Sequence, residues 1–167
     1  SLYMGEWGDA ITYATEVIDN PAFSLANDSA SLSTMCVTDE GSEVIFRIGL
    51  TKGDFDGRYI GYNYYNNSQG KPNADYIPAD WMTPSYGGTL FDVNDFRAKV
   101  IFKNDSTKFG WDWDLVWKYP GNPDFYDGDL TTNSNMYKVF RLAEMYLIRA
   151  EALAEDTQEA LALVDYN

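Results

Sequence analysis

Helical periodicity marks both ends of the chain and is missing from the long segment between them. Any fold must therefore be built from helices that bracket an extended, loop-rich insertion. Near the start, Trp7, Ala10, Ala14, Val17 and Ile18 share one helical face, and Asn20-Pro21 stops the run. Near the end, Ala143, Tyr146, Leu147, Ala150, Leu153 and Ala154 form a stronger stripe, with Glu144, Glu151 and Glu155 directed elsewhere. That spacing predicts a helix from about Tyr137 to Ala154. A polar Glu155-Asp156-Thr157 turn follows, and Ala160, Leu161, Leu163 and Val164 predict a further helix from Gln158 to Tyr166. The tail reads as a helical hairpin of the kind that tetratricopeptide-like repeats use.

Residues 21–136 contain two β-like runs, Glu43–Ile48 and Ala98–Phe102, among Gly-, Asn- and Asp-rich turns. A compact domain rarely spends so much chain on connections, so function is expected here and the helices are expected to be scaffold. The expected fold class is mostly α, treated as a single region. It has a helix in 1–20, a largely irregular, aromatic-rich insertion with a few short strands over 21–136, and a helical hairpin over 137–167.

Several chemistries are excluded by what the chain lacks. It has no His, which removes imidazole bases, Ser/His and Cys/His catalytic pairs and imidazole metal sites. Cys36 is the single cysteine, so no intrachain disulfide or CxxC site forms, and a small buried core residue is its expected role. The net charge of -14, from 12 basic and 26 acidic residues, comes without any Lys/Arg cluster, which argues against a nucleic-acid partner. Tyr86-Gly87-Gly88-Thr89 lacks the spacing and the Lys of a phosphate loop. Asp54–Gly57 and Asp124–Asp129 lack the calcium-loop spacing and read as Asp-Gly turns, so no metal and no cofactor is expected. There is no run of about 18 apolar residues to span a membrane, and no signal-peptide pattern at the start.

The insertion is instead loaded with rings: Tyr59, Tyr62, Tyr64, Tyr65, Tyr76, Trp81 and Tyr86, then Trp111, Trp113, Trp117, Tyr119, Phe125 and Tyr126. A ring with a polar edge stacks on the C–H face of a sugar while nearby Asp, Asn and Gln bind its hydroxyls. The alternative is that the rings pack the loops. Trp81, Tyr86, Trp111 and Trp113, set among Gly, Asp and Ser, together with Tyr65, are the candidate stacking residues.

Two passages are more specific. Gly5-Glu6-Trp7-Gly8-Asp9-Ala10-Ile11-Thr12-Tyr13-Ala14-Thr15-Glu16-Val17-Ile18 and Arg141-Leu142-Ala143-Glu144-Met145-Tyr146-Leu147-Ile148-Arg149-Ala150-Glu151-Ala152, with Ser42–Phe46 and Asp95-Phe96-Arg97 between them, follow one another in order. Together they resemble the SusD/RagB family of outer-membrane nutrient-binding lipoproteins.

The resemblance spans essentially the whole chain and implies a SusD-like fold. It also implies non-catalytic capture of oligosaccharides, or of peptides in some relatives, at the bacterial cell surface. The partner it implies is a SusC-like, TonB-dependent β-barrel transporter. The family's proteins are longer and begin with a signal peptide and a lipidated Cys. The chain therefore reads as an internal piece whose link to the membrane runs through its parent's lipid anchor. No ligand residue transfers by motif, because the family's contacts vary. Trp7, Tyr13, Tyr146 and Ala150 are expected to be interhelical packing, and Arg141 with Glu144 a helix-surface ion pair. Two other classes stand beside this reading: a helical interaction module that docks a transporter or a peptide with no ligand site of its own, and a carboxylate-dependent glycosidase. Apolar surface left exposed on the end helices would favour self-association.

Overall fold

The computed structural model describes residues 1–51, 61, 63–64, 74–83, 87–88, 90–92, 94–104, 114–125 and 134–166. Over these residues the chain is mostly helical, with two small two-stranded antiparallel sheets. The helices are α1 (Trp7–Ile18), α2 (Ser29–Thr38), α3 (Phe96–Ile101), α4 (Leu142–Glu155) and α5 (Glu159–Tyr166). The strands are β1 (Val44–Ile48), β2 (Phe102–Lys103), β3 (Leu115–Val116) and β4 (Tyr137–Arg141). Two compact units result: Ser1–Ala26 with Ser42–Arg47 and Lys138–Asn167, and Asn27–Gly41 with Ile48–Tyr137.

In the first unit α4 packs against both α1 and α5. The contact faces are small: Ala10 and Ala14 of α1, Ala150 of α4 and Ala162 of α5 are all buried, which lets the helix axes approach closely. Leu153 joins Ala150 and Ala162 in one cluster, with Ile11 packed on it, and its burial contributes about 2 kcal/mol. Arg149 ties the three helices together. Its Nε and Nη2 donate to the two carboxylate oxygens of Asp165 at 2.6 and 2.7 Å, and its Nη1 donates to Thr15 Oγ1 at 3.2 Å. Its guanidinium also lies 5.6 Å from the centre of the Tyr146 ring. The Asp165 hydrogen bonds raise the proton affinity of Arg149 further.

The expected α4 begins too early. Tyr137–Arg141 is a strand paired with β1, and the helix starts at Leu142. The α4 stripe begins only at Ala143, whereas 137–141 is rich in aromatic and β-branched residues that suit a pleated ribbon. The expected Arg141–Glu144 pair is replaced by a contact across the ribbon. Arg141 Nη1 meets Glu43 Oε1 at 2.9 Å, and the other oxygen of the same buried carboxylate accepts the Ala26 N–H at 3.0 Å. The Glu43 carbonyl also accepts the Leu142 N–H at 2.8 Å, so one residue anchors both the ribbon and the start of α4. Trp7 and Tyr146 are half-buried and Ala150 is buried, but Tyr13, expected to pack between helices, is 58% exposed.

In the second unit α2 lies inside the segment expected to be irregular. Asp28 Oδ1 accepts the Ser31 N–H at 2.7 Å, and Ser31 Oγ accepts the Asp28 N–H, which forms a reciprocal cap. Leu32, Met35 and Cys36, at i, i+3 and i+4, are its buried face, so Cys36 is a core residue. The β-like run Ala98–Phe102 is mostly helix. Asp95 caps α3 by accepting the Arg97 N–H at 2.9 Å, and only Phe102 and Lys103 extend, pairing antiparallel with Val116 and Leu115. A cap that satisfies the first-turn N–H overrides the β preference of Val100 and Ile101.

Two stability predictions follow from these local chemistries. α4 ends with Gln158 N–H on Leu153 C=O at 2.7 Å and Thr157 N–H on Ala154 C=O at 3.2 Å, a closing motif that places Thr157 at φ 61°. A β-branched residue is strained there, so Thr157→Gly should stabilise the hairpin by about 0.5–1 kcal/mol in urea unfolding followed by circular dichroism. Asp95 is held below its ordinary pKa of 3.8, first by its hydrogen bond to the Arg97 side chain and then by the Arg97 backbone N–H and the nearby positive charge. A depressed carboxyl stabilises the fold fully above its unfolded pKa, and the contribution disappears as pH falls through the lower folded value. Asp95→Asn, which keeps a capping acceptor but does not titrate, should flatten the acid limb of the stability profile as pH falls below the ordinary Asp value of 3.8.

Candidate functional site

The second unit brings three tyrosines into one stack. The ring of Tyr64 lies 6.3 Å from Tyr119, nearly parallel at 25°, and 6.2 Å from Tyr76, tilted at 52°. Tyr64 is positioned by a turn in which its N–H donates to the Gly61 carbonyl. The carbonyl of the neighbouring Asn63 accepts both the Asp75 and Tyr76 N–H groups, at 2.8 and 2.9 Å, which draws the two chain segments together. Tyr64 and Tyr119 are half-buried, while Tyr76 is 62% exposed and presents its ring to solvent. Lys118 Nζ lies 5.8 Å from the centre of the Tyr119 ring. The arrangement is a cluster of three aromatic rings with a cation over the Tyr119 ring and Tyr76 open to solvent.

Tyr119 leads along the chain directly into a buried polar hub. Asp39, fully buried, closes α2 in the left-handed conformation at φ 61°. Its Oδ1 accepts from Asn135 Nδ2 at 2.9 Å, and its Oδ2 accepts from Asn122 Nδ2 and from the Met136 N–H, both at 3.0 Å. The same two amide groups donate to carbonyls of α2, Asn122 to Thr38 at 2.8 Å and Asn135 to Cys36 at 3.0 Å. Asn135 Oδ1 in turn accepts the Gly121 N–H at 2.8 Å, and the Asn122 N–H donates to the Ser134 carbonyl at 2.7 Å. Segments 120–122 and 134–136 are therefore held on the end of α2, and Tyr119 directly precedes the first of them.

Of the candidate stacking residues, Trp81 is described. It sits in a 3₁₀ turn, Asp80–Met82, and is 63% exposed. Its loop is closed by the Gly88 N–H on the Thr83 carbonyl, and the backbones cross so tightly that a Cβ on Gly88 would lie 2.6 Å from Thr83 and Trp81 backbone atoms. The turn therefore holds Trp81 outward on a braced loop. No ring contact joins Trp81 to the tyrosine stack among the described residues. Tyr65, Tyr86, Trp111 and Trp113 lie outside the described residues. Tyr64, Tyr76 and Tyr119 were countable as rings in the insertion, but nothing local marks them as partners. The hub residues carried a fainter signal, a helix ending on Asp39 just before Gly41.

Asp54–Gly57 and residues 126–129 also fall outside the described residues, and Asp124 and Phe125 lie in a 3₁₀ turn. Among the described residues no group of three or more Cys, Asp or Glu is placed to hold a metal ion, and no helix is long and apolar enough to cross a membrane. The chain matches no protein-family model and no curated protein.

Asp39→Asn tests the hub. The substitution keeps tolerance of the left-handed backbone but turns one acceptor into a donor facing N–H groups. It should cost about 2–4 kcal/mol in urea unfolding followed by tryptophan fluorescence. An unchanged midpoint would show that the carboxylate is not what joins these segments.

Proposed function

We propose that this chain is a non-catalytic binding region that captures oligosaccharides at the bacterial cell surface. In this reading the fold is SusD-like, with tetratricopeptide-like hairpins as scaffold and the insertion as receptor. The observation that supports it best is the tyrosine cluster with its exposed Tyr76, set in the same unit as the outward-held Trp81. Aromatic faces gain from covering the C–H surface of a sugar ring, and phenolic edges and neighbouring carboxylates bind hydroxyls. The order of the Gly5–Ile18, Ser42–Phe46, Asp95–Arg97 and Arg141–Ala152 passages supports the family reading. Under it, the parent protein is held on the outer membrane by a lipid anchor and passes its ligand unaltered to a SusC-like, TonB-dependent transporter. The missing imidazole and the absence of any cofactor signature fit capture better than turnover.

The test is calorimetric titration of the chain with a panel of soluble oligosaccharides, beside Tyr76→Ala and Trp81→Ala variants. At least one glycan should bind saturably and be recovered unchanged. Tyr76→Ala should weaken it by about 1–2 kcal/mol, roughly five- to thirtyfold, the scale of an exposed stacking ring. Binding that ignores both rings would move the ligand site elsewhere, and release of shorter sugars would make the chain a hydrolase.

A further inference from the structure

The turn that carries Trp81 is closed by a crossing of backbones. Its own hydrogen bonds are local: the Met82 N–H donates to the Ala79 carbonyl at 2.9 Å, and the Thr83 N–H to the Asp80 carbonyl at 3.3 Å. Gly88 then returns across the turn and donates its N–H to the Thr83 carbonyl at 2.9 Å. A Cβ at position 88 would lie 2.6 Å from the Thr83 nitrogen, the Thr83 oxygen and the Trp81 oxygen. All three are backbone atoms, so no change of rotamer relieves the clash. Gly88 is not among the glycines at positive φ, whereas its neighbour Gly87 is, at φ 75°. The glycine at 88 is therefore required by space and the one at 87 by backbone conformation. Thr83 carries a second, independent observation. It is fully buried in extended backbone, at φ -112° and ψ 136°, and its hydroxyl has no hydrogen-bond partner among the described residues. Opening the crossing would return that hydroxyl to water, so Thr83 works against the closed form that Gly88 permits.

We infer that Gly88 is a positioning residue for the Trp81 ring, and that the closed crossing is the binding-competent form of the loop. The inference rests on the sugar-binding reading, in which Trp81 is one of the rings that meets the glycan. A stacking ring on a loop that samples open forms binds with an affinity reduced by the fraction closed, because the loop must be ordered at each binding event. The tight backbone contact at 88 removes that loss. Gly88 has no side chain to offer a ligand, so its contribution runs through Trp81. Two substitutions at the same crossing should therefore act in opposite directions. Gly88→Ala forces the backbones apart and lowers the closed fraction. Thr83→Val keeps the shape and suits the extended backbone, and it removes the orphaned hydroxyl, which raises the closed fraction.

Amide hydrogen exchange at position 88, followed by NMR on the full chain, reads the closed fraction, and calorimetry with the oligosaccharide panel reads binding. Gly88→Ala should speed exchange by about tenfold or more and weaken the best glycan by at least about fivefold. Thr83→Val should slow exchange by about threefold or more, with affinity kept or raised. In a Trp81→Ala background, Gly88→Ala should cost no further affinity, because its effect runs through that ring. Gly87→Asn, which tolerates the left-handed backbone at a position where a Cβ meets nothing within 4 Å, is the neighbouring control and should leave both readouts unchanged. Gly88→Ala is read only with an unchanged circular dichroism spectrum, and Thr83→Val decides the case if that spectrum changes. Affinity lost equally with and without Trp81, or exchange that Thr83→Val does not slow, would overturn the inference and leave the sugar-binding reading intact. If no glycan binds the unaltered chain, that reading fails and the inference with it, and a protected amide at 88 would then report a structural clasp alone.

Discussion

The buried Asp39 carboxylate is the interaction on which the second unit depends. It closes α2 in a left-handed turn and gathers three N–H donors from segments 83 to 97 positions away along the chain. A buried carboxylate is costly unless it is fully hydrogen-bonded, so its donors cannot drift without a large penalty. That requirement fixes where Gly121, Asn122 and Asn135 lie, and Tyr119 enters its stack directly before them. The ring cluster is built from loop residues, but Tyr119 leads directly into a segment referenced to a helix terminus. Recognition surfaces made of irregular chain need such a reference, because loop backbone carries no repeating hydrogen-bond ladder of its own.

The first unit solves a different problem. Its helices meet through alanines, which bury little area each, so close approach and side-chain pairing supplement the packing. Arg149 supplies this by spanning α1, α4 and α5 through Thr15 and Asp165, and Glu43 by joining the ribbon to the start of α4. Planar guanidinium groups suit such junctions because they donate along several fixed directions at once. On the outer face of the α4–α5 hairpin, Leu147 and Tyr166 are exposed to water.

Particular residues show how far local reasoning reaches. The α1 stripe and its stop at Asn20-Pro21, the α5 stripe and the core position of Cys36 were all readable, because periodicity and burial preference act over one or two turns. α2 was readable in principle: Asp28 with Ser31 forms a cap, and Leu32, Met35 and Cys36 follow at helical spacing. Short length and polar neighbours obscured it. Ala98–Phe102 misled because β-branched residues favour strands on average, whereas a single cap at Asp95 decided the case. Residues 137–141 misled for the opposite reason. A helical stripe downstream invited extension upstream, across residues whose hydrogen bonds belong to β1.

What the sequence by itself determined was the helices at the two ends, the isolation of Cys36 and the concentration of aromatic rings between them. Each follows from composition or from spacing within a few residues, where physical preference is local. Only the tertiary structure decided that Arg141 answers Glu43 rather than Glu144, that Asp39 collects Asn122 and Asn135, and that Tyr64 stands between Tyr76 and Tyr119. These pairings join residues far apart in the chain. Their energies appear only after long loops have closed, and no local pattern records which distant partner will satisfy a buried charge or cover a ring.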